Sequence, residues 1–166
     1  MLKLPGKSSV QIFEITRENV DLGIYISWLR NAKDNGFIEG ARADYSFSEL
    51  QTYIESKVNR PNVRFWGISL DSKKFIGTIK LEPIDWDDKV AWLGMMIGDS
   101  SERGKGYGYQ ALKLVLDYAA EVLLLRGVFL GVHKNNIPAL SIYSKSGFEI
   151  WKVNNFQIIM KKEFKT

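Results

Sequence analysis

Cysteine is absent from this 166-residue chain. That removes thiolate nucleophiles, disulfide cross-links and cysteine-ligated zinc or iron–sulfur centres together. Histidine occurs once, at His133. A histidine metal cluster therefore has no second ligand, and a Ser-His-Asp triad would depend on one position with no G-x-S-x-G elbow to accompany it. No D-x-D-x-D-G spacing marks a calcium loop, so no metal is expected. No apolar run approaches the roughly 20 residues of a membrane span. Met1 to Lys7 lacks the apolar stretch and small-residue cleavage site of a secretory leader, which gives a cytoplasmic expectation. Charge of one sign is also scarce: 23 Lys+Arg against 19 Asp+Glu leaves +4. The basic residues are scattered apart from Lys161, Lys162 and Lys165, so no stripe points to nucleic acid. Repeats, low-complexity tracts and linkers are missing too. A chain of this length buries roughly 70% of its unfolded surface in one core, and a single domain over residues 1–166 is expected.

What is present is a change of period along the chain. Val10 to Ile15 reads as a first strand, and Val20 to Ala32 as a helix with Leu22, Tyr25, Ile26 and Leu29 on one face. Ser46-Phe47-Ser48-Glu49 is a capping box opening a second helix that runs to about Lys57. From Val63 the period falls to two. Arg64 to Leu70, Phe75 to Leu81 and Val90 to Ile97 read as a meander, joined by polar turns at 71–74 and 84–88. A long helix, about Tyr107 to Arg126, is apolar nearly all round, with Gly127 at its left-handed C-terminal position. A strand (Val128 to His133), a short helix (about Pro138 to Lys145, ended by Gly147) and two strands (Phe148 to Val153, Phe156 to Lys162) complete the chain. The expectation is an α+β fold: a central mixed, mostly antiparallel twisted sheet of about seven strands, with about four helices packed on both faces.

Between the third meander strand and the long helix lies Arg103-Gly104-Lys105-Gly106-Tyr107-Gly108. Clustered glycines let backbone amides turn toward one point, and the helix start adds a positive dipole end, which together make a phosphate cradle. Arg103 and Lys105 add charge. A Walker A loop fails for want of lysine followed by Ser/Thr. The glycine spacing is G-x-G-x-G, and the strands before it form a meander, which argues against a dinucleotide fingerprint. The pattern [R/Q]-x-x-G-x-[G/A] fits Arg103, Gly106 and Gly108. A plain strand-to-helix connection is the remaining reading of this segment on its own.

Leu93-Gly94-Met95-Met96-Ile97-Gly98 with the glycine segment through Ala111 resembles the acetyl-CoA-binding motif of the GNAT superfamily of N-acyltransferases. Asn136-Ile137-Pro138-Ala139 through Tyr143 to Gly147-Phe148 is similar to that family's N-x-x-A-x-x-x-Y-x-x-x-G-F signature, in the same order and spacing. Ile26-Ser27-Trp28-Leu29-Arg30-Asn31 more weakly resembles the branch holding ribosomal-protein N-terminal acetyltransferases and sugar- or antibiotic-modifying relatives. The resemblance implies acetyl-CoA as cosubstrate. Its pyrophosphate would sit on the amides of Gly104 to Tyr109, including Lys105, Gly106, Tyr107 and Gly108, and its pantetheine arm along Met95, Met96 and Ile97 beside Asn136. A strand amide would polarise the thioester carbonyl, and Tyr143 would protonate the departing thiolate.

Many relatives carry a glutamate where Trp92 stands here. Glu82, Asp85 and His133 are the alternative base candidates, together with a water chain to solvent. Direct attack by a primary amine in a ternary complex is the leading expectation: without cysteine a cysteinyl intermediate is impossible, and a serine intermediate stays open. The loop Asp34 to Tyr45, with Asn35, Phe37, Glu39, Arg42 and Asp44, is expected to select the acceptor. Ile79 to Trp86 resembles members linked to surface-polysaccharide amino sugars, which favours a small amine. The rival readings are a protein N-terminal acetyltransferase, a noncatalytic acyl-CoA-binding module and a basic nucleic-acid-binding domain. A monomer or homodimer is expected, with no membrane partner.

Overall fold

The computed structural model describes residues 2–3, 9–31 and 36–165, with the backbone alone for Leu2 and Lys3. Its elements are β1 (Leu2–Lys3), β2 (Val10–Glu14), α1 (Leu22–Arg30), α2 (Phe47–Lys57), β3 (Arg64–Leu70), β4 (Phe75–Asp85) and β5 (Val90–Ile97). After a 3-10 turn at Ser100–Glu102 come α3 (Tyr107–Glu121), β6 (Gly127–His133), α4 (Ile137–Lys145), β7 (Glu149–Val153) and β8 (Gln157–Glu163). Eight strands form one sheet in the order β1-β2-β3-β4-β5-β6-β8-β7, one more strand than the sequence pattern predicts. Every pairing is antiparallel except β5 with β6. The chain crosses between those two through α3, as a parallel pair requires.

Side-chain caps fix the starts of α1 and α2. The Asp21 side chain accepts from the Ile24 amide at 2.9 Å. In the Ser46 capping box, Ser46 Oγ accepts from Glu49 N at 3.1 Å, and Glu49 Oε2 accepts from Ser46 N at 2.8 Å. Two apolar layers sit on opposite faces of the sheet. On one, α3 buries Ala111, Leu112, Val115 and Ala119 against Ile12, Ile68, Ile79 and Leu81, with Tyr143 of α4 in the same layer. On the other, α1 and α2 bury Tyr25, Trp28, Leu50 and Ile54 against Phe65 and Phe75. The Trp28 ring lies 4.8 Å from that of Phe75. A Cβ on Gly98 would fall 2.1 Å from the Trp28 ring, so only glycine lets α1 seat over the end of β5.

The long helix is shorter than its hydrophobic pattern suggests. It ends at Glu121, five residues before Arg126. Leu124, at φ 53°, turns the chain in place of Gly127. The amides of Val122 and Leu123 bond the Tyr118 carbonyl, and Leu125 then drops back into the core. Gly127 serves a different purpose: its Cβ would lie 2.8 Å from the Lys162 carbonyl oxygen, so it permits the close approach of β8. β4 likewise runs past Leu81 to Asp85, through a register shift between Leu81 and Ile84 that keeps it paired to β5.

Candidate active site

The two parallel strands meet only at their beginnings. Val90, Ala91 and Trp92 pair with Gly127, Val128 and Phe129. Above that point β5 stays on β4 through Ile97, while β6 stays on β8 through His133. Leu93 to Ile97 therefore has no partner strand on its β6 side among the described residues. Unpaired strand edges carry amides and carbonyls ready to bond an extended ligand. Met95, Met96 and Ile97 line that edge. A Cβ on Gly108 would lie 3.6–3.7 Å from Ile97 Cγ1, Ile142 Cδ1 and Met95 Cε, so the start of α3, this edge and α4 converge.

The glycine segment closes the upper end of the opening. Gly104 (φ 74°) and Gly106 (φ 84°) are left-handed, and a Cβ on either would meet nothing within 4 Å. They are thus glycine for backbone direction and not for packing. Gly106 caps α3 with no side-chain hydrogen bond, which leaves the first amides of Tyr107 and Gly108 unsatisfied by any cap. That is an anion seat at a helix N-terminus, and a pyrophosphate fits it.

The basic side chains nearby are arranged otherwise than their sequence positions suggest. Arg103 Nε donates to the Ile97 carbonyl at 2.8 Å and ties the loop to the end of β5. Lys105 Nζ pairs with Glu102 at 3.0 Å, and Lys74 bridges Glu102 (2.7 Å) and Asp99 (2.9 Å). The hydrogen bond from Lys74 holds the Glu102 carboxyl below the usual range, as that from Ser101 does for Asp99.

Across the opening, Asn136 Oδ1 accepts from Ala139 N at 3.3 Å and caps α4, which leaves its NH₂ uninvolved in the cap. Tyr143 is 6% exposed. Burial alone pushes its phenol up to about 12. The hydroxyl has no hydrogen-bond partner among the described residues. No buried side-chain oxygen is sealed without a partner, so this one reaches solvent-accessible space. The ring is held by edge contact with Phe148 at 5.8 Å.

The three base candidates are scattered. Asp85 pairs with Val90 at the closed end of the β5–β6 opening, and its Oδ1 accepts from the amides of Asp87 and Asp88 at 3.0 and 2.9 Å. It forms the turn that joins β4 to β5, at the opposite end of β5 from Met95 to Ile97. Glu82 is half-buried and bonded by Lys57 Nζ at 2.6 Å and Lys80 Nζ at 3.2 Å. Burial, the largest single influence, pushes its pKa up, but the two lysines together outweigh it and hold the carboxyl low. His133 stands at the mouth. Its Nδ1 accepts from Asn135 N at 3.1 Å, so the neutral ring carries its proton on Nε2 and offers a donor there.

Residues 13–149 match the family model described as acetyltransferase (GNAT) domain. This chain belongs to the GNAT acetyltransferase family. It is an acetyl-CoA-dependent N-acetyltransferase. Spermidine N(1)-acetyltransferase of Escherichia coli (strain K12) is 30% identical over 147 residues, 89% of this chain and 76% of that protein. The crystal structure of spermidine N-acetyltransferase from Vibrio cholerae in complex with CoA and spermine superposes with a TM-score of 0.81 at 20% identity, covering 93% and 95% of the two chains. Campylobacter jejuni N-acetyltransferase PseH gives a TM-score of 0.73 at 18% identity over 95% and 100%. Among the described residues no cluster of His, Asp or Glu is placed to hold a metal, and no helix is long and apolar enough to cross a membrane.

The acetyltransferase has a second face to its opening, beneath α1 and α2, which sequence reading located only in part. From the loop between those helices, Phe37 packs on the His133 ring at 5.2 Å, which brings this part of the loop to the end of β6. Asp34 and Asn35 of that loop lie outside the described residues. Arg42 is engaged by Asp44 (2.9 Å) and Glu49. Tyr53 of α2 accepts from Lys80 Nζ at 3.0 Å and completes a cluster with Lys57 and Glu82. The cluster's one sequence signal was Lys80 and Glu82 two apart on a strand; α2's share in it needs the tertiary fold.

Proposed function

We propose that this acetyltransferase transfers acetyl from acetyl-CoA to the primary amine of a small acceptor by direct attack in a ternary complex. The parting of β5 from β6 above Trp92, capped by the glycine turn at the start of α3, carries the reading. The thioester supplies the activated acetyl group; the chain's own residues do the rest. The amides at the start of α3 hold the anionic end, and the free edge of Met95 to Ile97 holds the arm in extended form and offers an amide to the carbonyl. Asn136 caps α4 and keeps its NH₂ for the arm. Tyr143 stays protonated at neutral pH and donates to the leaving sulfur. Asp85 is bonded to turn amides, Glu82 to two lysines, and His133 Nδ1 to a backbone amide, which supports proton loss from the amine through water to bulk solvent.

Spermidine and spermine, the acceptors in the names of the curated relatives, make a polyamine the acceptor class that the comparisons support. An amino sugar is the second reading, supported by Trp92, which is exposed at the foot of the opening and stacks on the half-buried Phe129. The test is thiol release from acetyl-CoA across a panel of polyamines, hexosamines and peptides, with calorimetric titration of CoA alongside. Amine-dependent release supports the reading. CoA binding without release from any amine would favour a noncatalytic binding module, and absence of CoA binding would remove both.

A further inference from the structure

The glycine turn is held by side chains and by little else. Gly104 and Gly106 are both left-handed, and nothing lies within 4 Å of where a Cβ on either would be. Outside the helices and strands, no backbone hydrogen bond between described residues involves Gly104 or Lys105. Glycine has the widest backbone freedom of any residue, so a turn built this way takes its direction from what ties it on either side. Before the turn, Arg103 holds the Ile97 carbonyl. Within it, Lys105 Nζ donates to Glu102 Oε2 at 3.0 Å, and the other oxygen of the same carboxylate, Oε1, accepts from Lys74 Nζ at 2.7 Å. Lys74 also pairs with Asp99 at 2.9 Å, and Asp99 Oδ1 accepts from the amide and hydroxyl of Ser101 at 3.0 and 2.6 Å. Lys74 stands in the β3–β4 hairpin, where its carbonyl accepts from Leu70 N at 2.9 Å. The Glu102 side chain, 11% exposed, is thus the link between the hairpin and the middle of the turn.

We infer that Glu102 is a positioning residue for the cosubstrate: by tying Lys105 to Lys74 it fixes, from the β3–β4 hairpin, the direction in which the glycine turn presents its amides. This rests on the reading of that turn as the seat of the acetyl-CoA pyrophosphate, and it gives the hairpin a share in cosubstrate affinity. Charge alone argues the other way. The hydrogen bond from Lys74, the largest influence, holds the Glu102 carboxyl below the usual range, so it is a carboxylate at neutral pH. A carboxylate next to a phosphate seat repels the incoming anion, an effect that salt screens. Whatever Glu102 adds to binding is therefore geometric. A turn fixed before the anion arrives has less freedom to lose on binding it, and the difference appears as affinity. Exposed ion pairs such as these contribute little to global stability, so the effect belongs in binding and not in melting.

The experiment compares the wild-type chain with Glu102→Gln, Lys74→Met and Lys74→Arg. CoA affinity is read by calorimetry at low and high salt, kcat and both KM values by thiol release with the amine that the wild-type chain turns over fastest, and the melting temperature for each variant. Glu102→Gln is expected to weaken CoA binding and raise the KM for acetyl-CoA about tenfold at either salt concentration, with kcat and the amine KM within about twofold and melting nearly unchanged. Lys74→Met is expected to show the same split. Lys74→Arg keeps both ion pairs and is expected to stay within about twofold of wild type. The two Lys74 variants decide the matter should Glu102→Gln lower the melting temperature. CoA affinity that is unchanged in Glu102→Gln, or that rises at low salt as loss of a negative charge alone would require, would overturn the positioning role and leave the phosphate seat standing. Equal losses in Lys74→Met and Lys74→Arg, or a kcat and amine KM that worsen as much as the acetyl-CoA KM, would overturn it too. A wild-type chain that binds no CoA would overturn the seat and the positioning role together.

Discussion

Replacing Tyr143 by phenylalanine removes one oxygen from a residue whose ring is packed and whose hydroxyl bonds no other described residue. Stability should barely change, because neither a hydrogen bond nor a filled volume is lost. The kinetic cost follows from acidity. A free thiol has a pKa of about 8.5, and burial raises the Tyr143 phenol to about 12. A proton passed from this phenol to a fully solvated thiolate would therefore climb about 3.5 units, or about 5 kcal/mol at 1.36 per unit. A thiolate expelled into the same water-poor groove is raised as well, which narrows that gap. General acids of this kind contribute on the order of 10² to 10⁴ in rate, and a donor this weak belongs near the lower bound. Tyr143→Phe should therefore lower kcat about 100-fold, with CoA affinity within about threefold of wild type and the melting temperature nearly unchanged. Thiol release at saturating acetyl-CoA and amine measures the first, and calorimetry the second. A kcat within twofold of wild type would refute the acid role.

Other expectations concern the cradle, the core and the charge cluster. Gly106→Val forces a β-branched residue to φ 84°, costing about 1–3 kcal/mol of local strain, and should weaken CoA binding at least tenfold by calorimetry. Unchanged affinity would show that the turn's direction is not what seats the phosphates. Trp28→Ala empties the space between Phe75 and Gly98 and should destabilise the fold by about 3–5 kcal/mol in denaturant titration; a loss under 1 would contradict that packing. Glu82 has a folded pKa below its unfolded value. Its contribution is therefore fully present above about pH 4.3 and is lost as pH falls through the lower folded value. Wild-type melting temperature should drop more steeply than that of Glu82→Gln between pH 5 and 3, the difference vanishing at the acid end; parallel curves would mean that the lysine pairing adds nothing.

Much of the fold was legible because it rests on local chemistry. The Ser46 box, Asn136 before Pro138 and Gly147 at φ 85° act through neighbours within a few residues, and each stands where its pattern placed it. The end of α3 was not, because Val122 and Leu124 continue an apolar helical pattern and a left-handed leucine has no sequence mark. Its cause is tertiary: Leu125 is needed in the core and Gly127 against β8. Site reading divides in the same way. The left-handed glycines and the cap on α4 follow from composition, whereas the pairing of Lys105 with Glu102, the use of Arg103 to hold Ile97, and the stacking of Trp92 on Phe129 depend on register between distant segments. The position of Asp85 is of the same kind: the register that pairs it with Val90, past the bulge in β4, has no local sequence mark.

The central claim is that acetyl passes directly from acetyl-CoA to an amine on this chain. The measurement that tests it most directly is the ratio of N-acetylated product, quantified by mass spectrometry, to free thiol released in the same reaction, with amine concentration varied. The account predicts one product per thiol, release that rises with amine to saturation, and loss of both signals together in Tyr143→Phe. Thiol release that is independent of amine and yields acetate would contradict it.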